Sequence, residues 1–167
     1  HMASDMHATN SYGDLTNYGH YTTTARLDDW SMNQCAWTIY YRNIVVCNSI
    51  IDVAAPANEE EEHMLGMNYF LRALWYSNLM RVWARPYTHG RDKMGVPLRI
   101  DSSTDPLPRA TVGEVYDQIV KDLLMAESLL KDAEPNRSLP NKQAAQGMLA
   151  RIYCWMADPA GGDSFAD

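Results

Sequence analysis

The sequence is short of the residues from which disulfide-stabilised proteins are built. Only three of its 167 residues are cysteine, too few for a disulfide framework. Cys35 and Cys47 lie on one predicted helix, where their separation of about 18 Å excludes a bridge between them. The pattern favours three free, buried thiols over a bridge from Cys154 to either of the others.

Sequence motifs of catalytic and metal-binding sites are missing as well. No glycine-rich phosphate loop follows a strand, and no serine sits in a nucleophile elbow. Asp28-Asp29 is the only adjacent acidic pair outside the run Glu59–Glu62, and neighbouring residues at a helix start point apart. Metal-ligand spacing, such as i and i+4, is absent among the histidines His1, His7, His20, His63 and His89. We therefore predict a protein that is not an enzyme, with no metal and no cofactor.

Positive charge is scarce too, and it is dispersed. Fourteen Lys and Arg stand against 21 Asp and Glu, for a formal net charge of −7, which argues against nucleic acid as a partner. The aromatic-rich stretch at residues 69–83 is too short to span a bilayer and carries two arginines. No signal peptide or lipidation signal is visible. His1-Met2 looks like a cloning remnant, so we expect the natural N-terminus to be absent.

Helical periodicity accounts for most of what is present. Asn58 with Glu61, and Thr111 with Glu114, are capping-box patterns, so the run Glu59–Glu62 is interpreted as a helix start. No stretch alternates as a strand, and residues 88–109 are predicted as a long loop. We predict an all-α fold of four main helices in antiparallel hairpins, over residues 28–56, 58–85, 111–130 and 142–156.

The apolar positions predict which face each helix buries. The second helix is expected to bury Met67, Phe70, Leu71, Leu74, Leu79 and Val82. The third has the cleanest stripe, at Val112, Val115, Tyr116, Ile119, Leu123, Ala126 and Leu130. The fourth is expected to bury Ala145, Met148, Leu149, Ile152 and Met156. The second and fourth helices share a pattern that weakly indicates a hairpin repeat of tetratricopeptide type.

Five phrases, taken in order, resemble the SusD/RagB family of outer-membrane nutrient-binding lipoproteins of Bacteroidetes. They cover roughly residues 28–157. The phrases are Trp37, Tyr40 or Tyr41, Ile44 and Asn48; Glu62 followed by "YFLRALWYSNLMRVW"; "GVPL"; "PRATVGEVYDQIVKDLLMAESLL"; and "NKQAAQGMLARIYCWM".

The resemblance implies a tetratricopeptide-like helical core inside a longer, lipidated cell-surface protein. Such proteins bind nutrients, usually glycans and in some branches peptides, without cleaving them. They pass the nutrient to a SusC-like TonB-dependent transporter. On this basis we divide the chain into an N-terminal loop region, 1–27, a helical region, 28–157, and a C-terminal loop, 158–167, truncated relative to the family. A truncated chain is expected to expose an apolar patch on its last helix or near Trp155.

The N-terminal loop holds the candidate ligand-binding residues. Tyrosine rings stack on sugars, and amide and carboxylate groups bracket their hydroxyls. In the resembled family, ligand contacts often come from the loop before the first helix. The candidates are Asn10, Tyr12, Asp14, Asn17, Tyr18 and Tyr21. The alternative is that these tyrosines cover the loop on its own helices.

Four further residues are assigned structural roles. Arg72 is expected to have a buried stem and a satisfied head group, and Trp37, Trp75 and Tyr116 are expected to pack inside. Arg109 is expected to pair with a carboxylate. Two other functions stay open: an oligopeptide-binding member of the same family, or a helical-repeat adaptor with a groove for a protein partner.

Overall fold

Four long helices and a two-stranded sheet make up the described part of the chain. The computed structural model describes residues 32–103, 105–132 and 139–157. The chain divides after Ile39 into two units. The elements are α1 (Met32–Val53), α2 (Glu59–Trp83), the one-turn α3 (Tyr87–Gly90), β1 (Met94–Pro97), β2 (Arg109–Thr111), α4 (Val112–Leu129) and α5 (Lys142–Met156). The predicted all-α class, with four main helices, is confirmed.

Successive long helices of the second unit run antiparallel. A Cβ added to Gly66 of α2 would lie 3.0 Å from Cβ of Leu129, whereas Arg72, further along α2, bonds to Asp122, earlier in α4. On the other side of α4, the Gln146 amide of α5 donates to Glu127 at 2.8 Å. The lack of a side chain at Gly66 lets α2 approach the end of α4 this closely.

The buried stripes of α4 and α5 are those that the periodicity predicts. All seven residues of the third-helix stripe and all five of the fourth are buried. The stripe predicted for α2 is confirmed in part. Leu79 is buried, and Val82 is 59% exposed. The other four, Met67, Phe70, Leu71 and Leu74, are half-buried. The residues that α2 buries are Gly66, Arg72, Ala73, Tyr76, Ser77, Leu79 and Met80. Side chains on both α1 and α4 contact this helix, so its buried face includes polar residues that a search for apolar stripes passes over.

The segment predicted as a loop contains regular structure. Within residues 88–109, α3 and β1 form, and β1 pairs antiparallel with β2 across an irregular register, Met94 opposite Thr111 and Pro97 opposite Arg109. A Cβ on Gly95 would lie 3.1 Å from the carbonyl oxygen of Thr111, so glycine permits the close pairing. Strands of four and three residues are too short for alternation to reveal them.

Side-chain caps begin three of the helices. The Asn58 side chain accepts from the N–H groups of Glu60 and Glu61, and Asn141 accepts from Ala144 at 2.8 Å. Thr111 and Glu114 form the predicted capping box. These bonds satisfy N–H groups that the first turn of a helix leaves without partners.

Surface exposure departs from two expectations. On α5, among the described residues, no large hydrophobic side chain is exposed, and Trp155 is half-buried. Exposed apolar side chains occur on other elements, including Val46, Ile50 and Val53 on α1 and Leu124 and Met125 on α4. Cys47 is a free, buried thiol, but Cys154 is free and exposed, which corrects the prediction that it is buried. The side chain of Cys35 lies outside the described residues.

Within the described ranges, no helix has the length and apolarity needed to cross a membrane.

The Glu114 carboxylate makes the stability of α4 depend on pH. Hydrogen bonds from the backbone N–H and the hydroxyl of Thr111 hold the pKa of Glu114 below its usual value. A lowered pKa in the folded state contributes stability above the unfolded pKa, about 4.3. That contribution is lost as the pH falls through the lowered folded value. We expect Glu114→Gln to lower the melting temperature at neutral pH. Between neutral pH and pH ~3, the melting temperature of the variant should fall less than that of the unmodified chain.

Thermal melts followed by circular dichroism at several pH values measure this effect. Asp117→Asn is the matched control, because Asp117 also lies on α4, is exposed and caps no helix. Parallel pH profiles for Glu114→Gln and the unmodified chain would contradict the assignment.

Candidate functional site

The predicted ligand-binding residues lie outside the part of the chain that the structure describes. This applies to Asn10, Tyr12, Asp14, Asn17, Tyr18 and Tyr21, which stay predictions. Trp37 lies on α1 in the unit that ends at Ile39. Arg72, Trp75 and Tyr116, with the surfaces around them, are described in the second unit.

A buried ion pair joins α2 to α4. Arg72 donates to both carboxylate oxygens of Asp122, from Nε at 2.8 Å and from Nη2 at 2.6 Å. The side chains are 5% and 1% exposed, and the Gln118 amide donates to the same carboxylate at 2.8 Å. Burial raises the pKa of Asp122, and the bonds from Arg72 and Gln118 oppose that shift. Two-pronged pairing of this kind holds both groups in one orientation.

The remaining donors of Arg72 reach α1 and the loop after β1. Its Nη1 donates to Oδ1 of Asn48 at 2.8 Å and to the carbonyl oxygen of Ile100 at 3.3 Å. Asn48 in turn donates to the carbonyl oxygens of Arg99 and Asp101, at 3.2 and 2.6 Å. One guanidinium therefore ties three helices and a loop together.

Two tyrosines complete the attachment of this loop. The Tyr76 hydroxyl donates to the carbonyl of Arg99 and accepts from its N–H, both at 2.7 Å. Tyr41 donates to the carbonyl of Pro97 at 2.7 Å. Burial raises the pKa of both hydroxyls above the usual range, which keeps them protonated as donors.

A group of aromatic rings lies where α1 passes α2. Tyr40 stacks on Trp75 with centroids 5.4 Å apart, and meets Trp83 edge-on at 6.2 Å. Trp75, which was expected to pack inside, is half-buried. Its ring packs on Tyr40 at the contact between the helices. On α4, Tyr116 is 5% exposed and meets Tyr87 of α3 edge-on at 5.2 Å.

Arg109 was predicted to pair with a carboxylate, and its described contacts are carbonyl oxygens instead. It donates from Nε to Gly95 at 2.5 Å and from Nη2 to Trp83 at 3.1 Å. The carbonyl of Trp83 is one of those that the end of α2 leaves without a helical donor. Arg109 therefore joins β1 to the end of α2.

The aromatic–arginine cleft is the feature of the described surface that the sequence did not indicate. It has a volume of about 430 Å³, within the range of small-molecule sites. Its lining residues are Met80, Arg81, Ala84, Arg85, Pro86, Tyr87, Tyr116 and Trp155. Trp155 is distant in sequence from the others, so no local pattern could have placed it beside Arg81.

A second cleft, of about 280 Å³, lies at the other end of α2. It is lined by Glu60, His63, Lys131, Asp132, Leu139, Pro140 and Asn141. The Nδ1 atom of His63 accepts from the N–H of Lys131 at 3.2 Å. In the described ranges, no group of three or more His, Cys, Asp or Glu side chains is placed to hold a metal ion.

Comparison with known proteins relates the chain to one family. The model of the SusD-like family, described as starch-binding and associating with the outer membrane, matches residues 1–154. Among curated proteins the chain has no match.

Solved structures of the same superfamily are similar to the chain. A SusD superfamily protein from Bacteroides thetaiotaomicron is 29% identical with a TM-score of 0.67, over 72% of this chain and 28% of that one. A candidate sugar-binding protein from Bacteroides vulgatus is 27% identical with a TM-score of 0.69, over 89% and 34%. A second SusD superfamily protein from B. vulgatus is 26% identical with a TM-score of 0.66, over 72% and 29%. The chain thus spans about a third or less of the length of these proteins.

Removing the Arg72 guanidinium should destabilise the fold strongly. We expect Arg72→Met to cost about 3–5 kcal/mol, the usual loss when one partner of a buried ion pair is removed. The penalty arises from an ionised Asp122 without its cation, so the difference from the unmodified chain should shrink as the pH falls towards ~4 and the carboxyl takes up a proton. Urea unfolding followed by circular dichroism gives both quantities.

Arg151→Gln is the control, because Arg151 is exposed and such substitutions usually change stability by less than about 0.5 kcal/mol. An Arg72→Met loss equal to that of the control, or one independent of pH, would show that the ion pair does not organise the core.

Proposed function

Because the chain belongs to the SusD-like family, we propose that it takes part in non-catalytic binding of extracellular nutrient glycans at the cell surface. The match to the starch-binding, outer-membrane family over residues 1–154 is the observation that carries this proposal. In it, the bound oligo- or polysaccharide passes to a SusC-like TonB-dependent transporter, and the protein is held at the outer membrane as a lipoprotein.

The proposal divides the chain by role. The loop region, 1–27, supplies tyrosine rings and amide or carboxylate groups to the sugar, and the helical region, 28–157, supplies the scaffold. Three of the ten tyrosines, Tyr12, Tyr18 and Tyr21, lie in this loop region. Tyr and Trp combine a flat apolar face with a polar group, which suits a ligand with both kinds of surface.

Two buried side chains of the described helices are held in unreactive states, which agrees with the proposed non-catalytic role. The carboxylate deepest in the core, Asp122, is fully engaged by Arg72 and Gln118, so it is not available as a general acid or base. The buried Cys47 thiol has its pKa raised by burial to about 11, which keeps it protonated and unreactive at neutral pH.

Titration calorimetry with neutral oligosaccharides tests this function. We expect binding to a subset of glucan or related oligosaccharides, and at least a tenfold loss, about 1.4 kcal/mol, in Tyr12→Ala, Tyr18→Ala or Tyr21→Ala. The matched controls are Phe substitutions at the same positions. They keep the ring and remove the hydroxyl, so they should retain most of the affinity if stacking dominates.

Two results would count against the proposal. Equal affinity of the Ala variants and the unmodified chain would remove the N-terminal loop from the site. Binding to members of a peptide library, with none to any glycan, would favour the oligopeptide-binding alternative.

A further inference from the structure

The aromatic–arginine cleft lies where the ends of two helices meet. Met80, Arg81 and Ala84 come from the last turn of α2 and its cap, and Trp155 comes from the last turn of α5. Tyr87 of α3 and Tyr116 of α4 close the opposite side, with their rings packed edge-on at 5.2 Å. The two tyrosines support each other, so this side of the cleft is preformed.

Positive charge dominates the lining. Arg81 and Arg85 both contribute, and no Asp or Glu is among the lining residues. Both arginines are exposed, and within the described residues neither forms an ion pair with a carboxylate. In a chain of net charge −7, two such arginines lining one cleft make a local site for an anion.

The two arginines also complement the carbonyl oxygens at the end of α2, a role that any basic residue fulfils. Arg81 does more, because its Cζ lies 5.5 Å from the centroid of the Trp155 ring. Stacking on an aromatic face leaves the N–H groups at the edge of a guanidinium free to bind a carboxylate by two parallel bonds. The cleft therefore places an anion-binding group next to flat apolar surface.

We propose that this cleft binds a sugar ring that carries a carboxylate, as in an oligosaccharide of uronic acids. The ring packs on the aromatic side chains, and its carboxylate accepts hydrogen bonds from Arg81 and Arg85. This inference rests on the proposed glycan-binding function and names the ligand class of a site additional to the N-terminal loop. A free anion such as phosphate would use the arginines and leave the aromatic rings without contact.

The experiment compares two forms of one ligand by titration calorimetry on the unmodified chain. Trigalacturonic acid carries three carboxylates, and its full methyl ester has the same rings without the charges. We expect the acid to bind at least tenfold more tightly than the ester, with an affinity that falls as salt is added. This comparison needs no variant, so a folding defect cannot explain its result.

Variants then assign the binding to the cleft. Arg81→Gln with Arg85→Gln should reduce affinity for the acid at least tenfold, whereas Arg42→Gln, which removes an exposed arginine from α1, should leave it unchanged. Trp155→Ala should also weaken binding of the acid, because the stacking surface is lost. Equal melting temperatures for the arginine variants and the unmodified chain show that they remain folded.

Four results would overturn the inference. The first is equal binding of acid and ester, and the second is full retention of affinity in the double arginine variant. The third is equal binding of a blocked triglutamate peptide with the same number of carboxylates, which would show that the sugar ring contributes nothing. Absence of acid binding, in a chain that still binds neutral glycans through its N-terminal tyrosines, would overturn the cleft assignment and leave the proposed function intact.

Discussion

The pairing of Arg72 with Asp122 is the constraint on which the described core depends. Neither charge is accessible to water, and burial of one without the other would cost several kcal/mol. Since the two residues come from α2 and α4, they set the relative height of these helices. An apolar pair would tolerate a slide along the helix axis, whereas a two-pronged bond at 2.6 and 2.8 Å does not. The same guanidinium bonds to Asn48, so α1 is placed by the same group.

The loop that follows β1 is held by hydrogen bonds from Arg72 and its neighbours. Its carbonyl oxygens have no helix or sheet to satisfy them, and they accept bonds from Arg72, Asn48 and Tyr76. Tyr41 donates to Pro97, at the end of β1. A buried polar backbone without partners would be costly, so these side chains allow an irregular segment to pack against helices. This is one structural reason for a composition rich in tyrosine and poor in phenylalanine, since a phenylalanine at Tyr41 or Tyr76 would fill the space and leave a carbonyl without a donor. The glycan-binding role proposed for other tyrosines relies on the same combination of ring and hydroxyl.

The aromatic–arginine cleft follows from where the helices end. Pro86 separates α2 from α3, and Tyr87 of α3 packs on Tyr116. In the last turn of α5, Trp155 lies beside Arg81. Surfaces at helix ends are less occupied by the packing of neighbouring helices than surfaces along their sides. A ligand bound there as proposed would contact helix ends, while the buried network maintains the elements that form the cleft.

Periodicity in the sequence alone determined the helical class and the buried stripes of α4 and α5. Capping chemistry determined where α2 and α4 begin, because these features depend on residues within one or two turns of each other. The strands β1 and β2 could not be predicted, since they are short and are stabilised by pairing across a dozen residues. The buried face of α2 was predicted only in part for a related reason: Tyr76 is inside, and its hydroxyl bonds to Arg99 of the loop after β1, which is distant in sequence. Tertiary structure alone brought Trp155 to Arg81, because a cleft built from helix ends joins residues whose separation along the chain carries no periodic signal.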